Sequence, residues 1–259
     1  PVILLHGWAD MGMSFQFLAD EMPDKWYLIA PDWRGFGDSD WQPGGYWFPD
    51  YLADLESIID ELSPDQPVRL VGHSMGGNVA WLYAGIRPER VSHAVSLDVY
   101  GMPDSSADEA PAHYLKWLEQ LKTVQAFSDY KDIVTAADRI IKLAPRLQQD
   151  RAVFLAQHWC RQAADGVWQL KHDPAHKRVN PVLYRREEAK SCWRNIRAKT
   201  LLVLAEESAF HERYIPQGYQ SELEACISLF SESVISETGH MLHLEQPQAL
   251  AAVLDSFLE

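Results

Sequence analysis

The chain has 259 residues, with 37 Asp or Glu against 23 Lys or Arg and a formal net charge of -14. With 47% apolar residues it can bury a core, which excludes a disordered chain, and its length favours one domain with an insertion over two equal domains. The acidic balance excludes a surface of clustered Lys and Arg built for nucleic acid, and no run of about eighteen apolar residues offers a membrane span.

The first third alternates short apolar runs with helical patterns, as βαβ units and a parallel sheet require. Pro1–Leu5 is a strand stopped by His6-Gly7, and Lys25–Asp32 is a second, closed by the turn-rich RGFGDSD. Leu52, Leu55, Ile58, Ile59 and Leu62 share one face of a helix over Pro49–Leu62. Pro67–Gly72 is a third strand, Met75–Ile86 a helix with small residues at its start, and Val91–Val99 a fourth strand. Residues 103–197 break this rhythm. Helical patterns over Ala112–Val124, Tyr130–Leu143 and Arg151–Ala164 follow one another with no strand between, in a stretch holding Trp117, Trp159, Trp168 and Trp193. Thr200–Ala205 is a fifth strand, and a last helix runs from about Glu245 to Leu258. The expected architecture is α/β, a mostly parallel central sheet flanked by helices. Residues 1–102 and 198–259 form its core. Residues 103–197 form a helical cap inserted between the strand ending near Asp98 and the one starting near Thr200.

The same boundaries divide the charge. Residues 1–102 carry 15 acids and 5 bases, 103–197 carry 12 and 16, and 198–259 carry 10 and 2, for nets of -10, +4 and -8. A basic cap on an acidic frame favours docking of the two, or attracts an anionic substrate. Cys160, Cys192 and Cys226 are far apart and odd in number, which suits a reducing compartment. No basic and apolar signal segment opens the sequence, so a cytoplasmic location is expected.

The chemistry centres on Gly72-His73-Ser74-Met75-Gly76, a G-x-S-x-G sequence between a strand and a helix. The serine of such a turn sits in a strained conformation, so its neighbours two residues away need minimal side chains. The helix N-terminus then faces the reacting centre, where negative charge develops. A serine hydroxyl is scarcely ionised at neutral pH and needs a base. His240, in Thr238-Gly239-His240 before the final helix, is placed to supply it. His243 is the local competitor and packs at the helix start, His73 is turned away by the tight turn, and His6 supports the loop it begins.

His6-Gly7-Trp8, Asp32-Trp33-Arg34-Gly35-Phe36-Gly37-Asp38-Ser39, Gly72–Gly76, and Gly239-His240 followed by Glu245-Gln246-Pro247 occur in one order along the chain. In this the sequence resembles the α/β-hydrolase fold family, and within it the small serine hydrolases with a helical lid. The resemblance covers nearly the whole chain outside the cap. It implies a carboxylesterase-like enzyme with Ser74 as nucleophile, His240 as general base, and an oxyanion hole from the backbone N–H groups of Trp8 and Met75. Many such relatives carry an acid in a G-x-x-D pattern after the strand matching TLLVLA, where this chain has Ala205-Glu206-Glu207-Ser208. Ser208 stands in the acid's place and carries no charge. Glu206 or Glu207 reaches in instead, or the acid is Asp98 in VSLDVYGMP, a context similar to that of haloalkane dehalogenases. Asp98 is preferred, and it keeps the order Ser, acid, His. Relatives usually place a β-hairpin before the first strand, whereas this sequence opens on that strand.

Dehalogenases and epoxide hydrolases attack with an aspartate on this turn, so a serine there implies acyl transfer to water from a small or medium carboxylic ester or thioester. No cofactor is expected. Pro174 disfavours a helical metal-ligand pair at His172 and His176, so no metal is expected either. Trp33, Trp117 and Trp159 are candidate substrate-binding residues, with Trp8 beside the oxyanion donors. The expected partner is a small-molecule ester-type substrate, with no nucleic acid and no membrane span, and the oligomeric state is open. Two other readings stand beside this one. The first is another serine-dependent hydrolysis on the same fold (a diketone C–C bond, an amide, perhydrolysis). The second is a ligand-binding relative with little turnover, favoured by Ser208.

Overall fold

The computed structural model describes residues 1–214 and 218–259, and of 211–213 the backbone alone. Its strands are β1 (Val2–Leu5), β2 (Leu28–Ile29), β3 (Val68–His73), β4 (Val91–Leu97), β5 (Cys160–Gln162), β6 (Trp168–Leu170), β7 (Lys199–Ala205) and β8 (Phe230–Ile235). Six of them form one parallel sheet in the order β2-β1-β3-β4-β7-β8. An inner parallel strand is covered on both faces and so reads as a continuous apolar run. β1 is buried at all four positions, with Ile3 and Leu5 in one core cluster and Val2 and Leu4 in the other.

The helices are α1 (Gln16–Glu21), α2 (Phe48–Leu62), α3 (Met75–Ile86), α4 (Ala110–Leu121), α5 (Ile133–Leu143), α6 (Gln149–Trp159), α7 (Arg186–Trp193), α8 (Ala209–Tyr214), α9 (Tyr219–Cys226), α10 (Leu242–Glu245) and α11 (Pro247–Leu258). On one face of the sheet lie α2, α3, α7 and α9, through Leu55, Ile59, Trp81, Trp193 and Leu223. On the other face lie α1 and α11, through Leu18, Leu250, Leu254 and Leu258. Each such side chain, fully buried, stabilises the fold by roughly 1.5–3 kcal/mol. None of the helices is long and apolar enough to cross a membrane among the described residues.

The sheet departs from the sequence expectation at its edges. The strand expected over Lys25–Asp32 shrinks to Leu28–Ile29, which pairs on one side only, and Tyr27 before it is 68% exposed. β8 was not expected. FSESVI is half polar because it too is an edge strand, paired only with β7. The expected last helix is present as α11, Pro247–Leu258, and the short α10 precedes it.

Residues 103–197 are not wholly helical. The helix expected to run from Arg151 to Ala164 stops at Trp159, and the chain turns into an antiparallel ribbon of β5 and β6. Gly166, with φ of 90°, makes the turn between them. Tyr130 bridges to Trp168, so α5 begins only at Ile133, where the Asp132 side chain accepts from the Thr135 N–H at 2.8 Å. The end of the stretch belongs to the core. Ala189, Trp193 and Ile196 pack with Trp81, and a Cβ added at Gly85 would lie 2.0 Å from the Cys192 carbonyl oxygen.

The remainder of the insert docks over the C-terminal strand ends. α5 and α6 bury Ala137, Ile140, Leu155 and Trp159 against Met11, Phe17, Met241 and Leu244 of the frame. The His176 ring is stacked between Phe36 and Tyr46, at centroid distances of 3.7 and 3.6 Å. Insert bases meet frame acids in Lys171–Asp38 at 2.7 Å and Arg146–Glu207 at 2.6 Å, while Arg186 and Lys190 of α7 meet Glu222 within the core at 2.5 and 3.1 Å. Docking thus uses insert charge at Lys171 and Arg146.

Candidate active site

Ser74 follows β3 directly and precedes α3, with φ of 51° and ψ of -117°. A non-glycine residue is rarely held there, and the glycines around it explain how this one is. A Cβ at Gly72 would lie 2.2 Å from the Gly76 carbonyl oxygen, and one at Gly76 would lie 2.1 Å from the Leu5 carbonyl oxygen. Neither contact can relax, because β1 and β3 are paired on both sides. Gly76→Ala is therefore expected to cost about 4 kcal/mol or more. Gly44→Ala, whose added methyl meets nothing within 4 Å, should stay close to wild type in the same thermal melt. Near-equal melting of the two variants would contradict this steric account.

The loop after β1 lies against the same turn. A Cβ at Gly7 would sit 3.2 Å from the Ser74 Cβ, which brings the backbone of Gly7-Trp8 beside the serine. Met75 is the first residue of α3, so its N–H has no partner within the helix. Trp8 itself is 50% exposed and gives its indole N–H to the His176 carbonyl at 3.3 Å.

Asp98 stands just past β4, fully buried, with φ of 58°. Its backbone N–H donates to the Val203 carbonyl at 2.8 Å. Its Oδ1 accepts the Ala205 N–H at 2.9 Å, and its Oδ2 accepts both the Ser208 hydroxyl and His240 Nδ1, each at 2.6 Å. A carboxylate only accepts, so the imidazole donates from Nδ1 and Nε2 keeps the lone pair. Glu206 and Glu207, the alternative acids, are exposed and turned elsewhere. Glu206 accepts from the Glu237 N–H at 3.4 Å, and Glu207 pairs with Arg146.

His240 is held from three further sides. Its carbonyl accepts His73 Nε2 at 2.8 Å, the Phe210 ring stacks on it at 4.8 Å and 16°, and Gly239 before it gives its N–H to Glu245 at 2.8 Å. Behind it His73, His243 and Asp10 form a buried polar cluster. Asp10 Oδ2 is 3.7 Å from His243 Nε2 and 4.0 Å from His73 Nδ1. Those spacings exceed the edge of about 3.4 Å that a tetrahedral zinc set requires. Burial pushes the Asp10 carboxyl up to about 7, pushes His243 down to about 3 and holds His73 well below its ordinary value.

The tryptophans expected to bind substrate are spread out. Trp33 is sealed in the core at 1% exposure, with its indole N–H on the His6 carbonyl and its backbone N–H on His6 Nε2. Trp159 is buried among the insert helices beside His172, and Trp117 is half-buried against Trp47. Among the described residues, the Phe210 ring stacks on His240, and Trp8, whose backbone follows Gly7 beside the serine, has Phe127 as a ring neighbour at 6.4 Å. Sequence reading missed Ser208 as a partner of Asp98 and missed Phe210 altogether. No local signal marks either, since the contacts arise only when β4, β7 and the His240 loop are brought together.

A nucleophile-type strand–turn–helix serine and a carboxylate–imidazole pair at the C-terminal ends of a parallel sheet define an α/β-hydrolase. The family profile described as alpha/beta hydrolase fold matches residues 1–247, and the chain belongs to that family. Among its relatives is a serine hydrolase-like protein of Danio rerio, 29% identical across the whole of this chain and 81% of its own length. An epoxide hydrolase 2 of Siraitia grosvenorii is 38% identical over 102 residues, 38% of this chain and 32% of that protein. Among solved structures, a thioesterase domain from the curacin biosynthetic pathway superposes with a TM-score of 0.87 at 26% identity, covering 99% of this chain and 91% of that one.

Proposed function

We propose that the protein hydrolyses a small or medium carboxylic ester or thioester through an acyl-enzyme on Ser74. The observation that carries this reading is the 2.6 Å contact of Asp98 with His240 Nδ1, which leaves Nε2 basic. Ser74 Oγ attacks the substrate carbonyl carbon and its proton passes to His240 Nε2. The oxyanion forms between the N–H groups of Trp8 and Met75. Collapse expels the alcohol or thiol, which takes the proton from His240. Water then gives a proton to His240 and attacks the acyl carbonyl, which frees the acid and restores the serine. The esterase and thioesterase reading is supported by the serine hydrolase-like relatives and the thioesterase neighbour. The local likeness to an epoxide hydrolase does not favour displacement at carbon here, because that step needs a carboxylate nucleophile and this turn presents a hydroxyl.

The insert over 103–183 serves in this reading as a cap. Trp8, Phe127 and Phe210 give the site an apolar rim suited to an acyl chain of modest length. A fluorophosphonate probe tests the assignment. Labelling is expected in the wild type and should vanish in Ser74→Ala, with p-nitrophenyl acetate to octanoate then ranking the acyl lengths. An unlabelled wild type, or labelling that survives Ser74→Ala, would defeat the proposal.

A further inference from the structure

Arg146 lies in the insert between α5 and α6, where it meets carboxylates of both the Ser208 loop and the His240 loop. Its guanidinium reaches Glu207 Oε2 at 2.6 Å from Nη2 and Glu245 Oε2 at 3.9 Å from Nη1. Its backbone N–H also donates to Glu245 Oε1 at 3.1 Å. Each carboxylate is wired to one half of the pair. Glu207 adjoins Ser208, the hydroxyl donor to Asp98, and its own N–H donates to the Thr238 carbonyl at 3.0 Å. The Glu245 side chain is fully buried, and its Oε2 accepts the Gly239 N–H at 2.8 Å and the Thr238 hydroxyl at 3.0 Å, immediately before His240.

Two carboxylates that approach the same short stretch repel each other unless a cation stands between them. Residues 198–259 carry two bases, Lys199 and Arg213, against ten acids. Among the described residues, the cation that meets both Glu207 and Glu245 is Arg146 of the insert. We propose that Arg146 is a positioning residue that makes the alignment of Asp98 with His240 depend on the seating of the insert. With the insert docked, the Ser208 loop and the His240 loop are clamped to one guanidinium. With it lifted, the Glu207 contact and the Arg146 N–H bond are lost together, while the His240 loop keeps its frame bonds to Glu245, His73 and the Glu207 N–H. Productive alignment is thereby confined to the closed site, from which water is excluded. This inference rests on reading Asp98 and His240 as acid and base.

The Arg146 and Glu207 side chains are 40% and 49% exposed, so their contact is open to screening by salt. Arg146→Ala is therefore expected to slow fluorophosphonate labelling and lower kcat on a neutral p-nitrophenyl ester by about fivefold, with KM nearly unchanged. Arg146→Lys should recover part of the loss, and Glu207→Gln should reproduce part of it. The wild-type rate should fall with added NaCl toward that of Arg146→Ala, whose own rate should be flat. Wild-type kcat in Arg146→Ala, or equal salt dependence in the two proteins, would overturn the proposal. A change in melting temperature alone would leave Arg146 a structural clamp and overturn it equally. A wild type that the probe fails to label points to failure of the Ser74 assignment instead, which keeps the two apart.

Discussion

Asp98→Asn is expected to lower kcat by about 10³- to 10⁴-fold while the folded protein keeps its melting temperature within a few degrees. The size of the effect follows from where the donors described at Asp98 point. Oδ2 takes both the Ser208 hydroxyl and His240 Nδ1, and Oδ1 takes the Ala205 N–H. An asparagine has one acceptor oxygen and an amide that only donates. With its oxygen on the His240 side, the amide nitrogen faces the Ala205 N–H, donor against donor in a buried site. With its oxygen toward Ala205, the amide nitrogen faces His240 and forces the imidazole into the tautomer whose Nε2 carries the proton. That tautomer cannot take the proton of Ser74, and no negative charge remains to stabilise an imidazolium. Glu206→Gln provides the control, because that side chain is exposed and meets the Glu237 N–H rather than His240. Its kcat should stay within about twofold of wild type. A single-turnover assay with a p-nitrophenyl ester separates the cases. Near-wild-type turnover in Asp98→Asn, or a collapse in Glu206→Gln, would remove Asp98 from the mechanism.

The contrast between Asp98 and Ser208 marks how far the sequence alone reaches. The serine turn is legible because its cause is local. Gly72, Ser74 and Gly76 lie within five residues, and the steric demands on the glycines are met inside that stretch and by β1. The parallel sheet is legible for a similar reason, since strands buried on both faces must be apolar throughout. Edge strands escape that demand, so β8 passes as a polar segment and β2 is read too long. Ser208 reads as a lost acid until β4 and β7 pair, when it becomes a donor to an acid 110 residues earlier. Trp33 looks like a pocket residue because its burial is decided by His6 and Tyr51, which come from other elements. The composition boundary at residue 197 misplaces α7 for the same reason. Its basic residues resemble the insert in charge, but Trp193 packs on Trp81 of α3.

The buried histidines give the second large effect, a steep loss of stability on mild acidification. Burial holds His6, His172 and His243 down at about 3 and His176 at about 4, and it keeps His73 well below its ordinary value of 6.5. In the unfolded chain each regains a pKa near 6.5 and takes up a proton as the pH drops. Their stabilising contribution is therefore complete above pH 6.5 and is lost progressively as the pH falls toward the native values. Between pH 7 and pH 5 each of His6, His172, His176 and His243 removes about 2 kcal/mol, and His73 acts in the same direction. Asp10 acts in the opposite sense. Its carboxyl is raised to about 7 from 3.8, so its contribution is complete below pH 3.8 and is lost as the pH rises through 7. Acidification from pH 7 to pH 5 thus restores about 2 kcal/mol at Asp10, which offsets one histidine of the five. The net loss is on the order of 5–10 kcal/mol, comparable with the whole stability of an ordinary domain. The protein should accordingly unfold near pH 5 at room temperature, in urea titrations taken at half-unit intervals. His172→Phe isolates one contributor, since that ring packs edge-on against Phe36, Phe127 and Trp159 and a phenyl group fits the same surroundings without titrating. Relative to wild type, the variant should gain about 2 kcal/mol on going from pH 7 to pH 5. Parallel stability curves for the two proteins would show that His172 is protonated in the folded state and would dismiss burial as the source of the acid sensitivity.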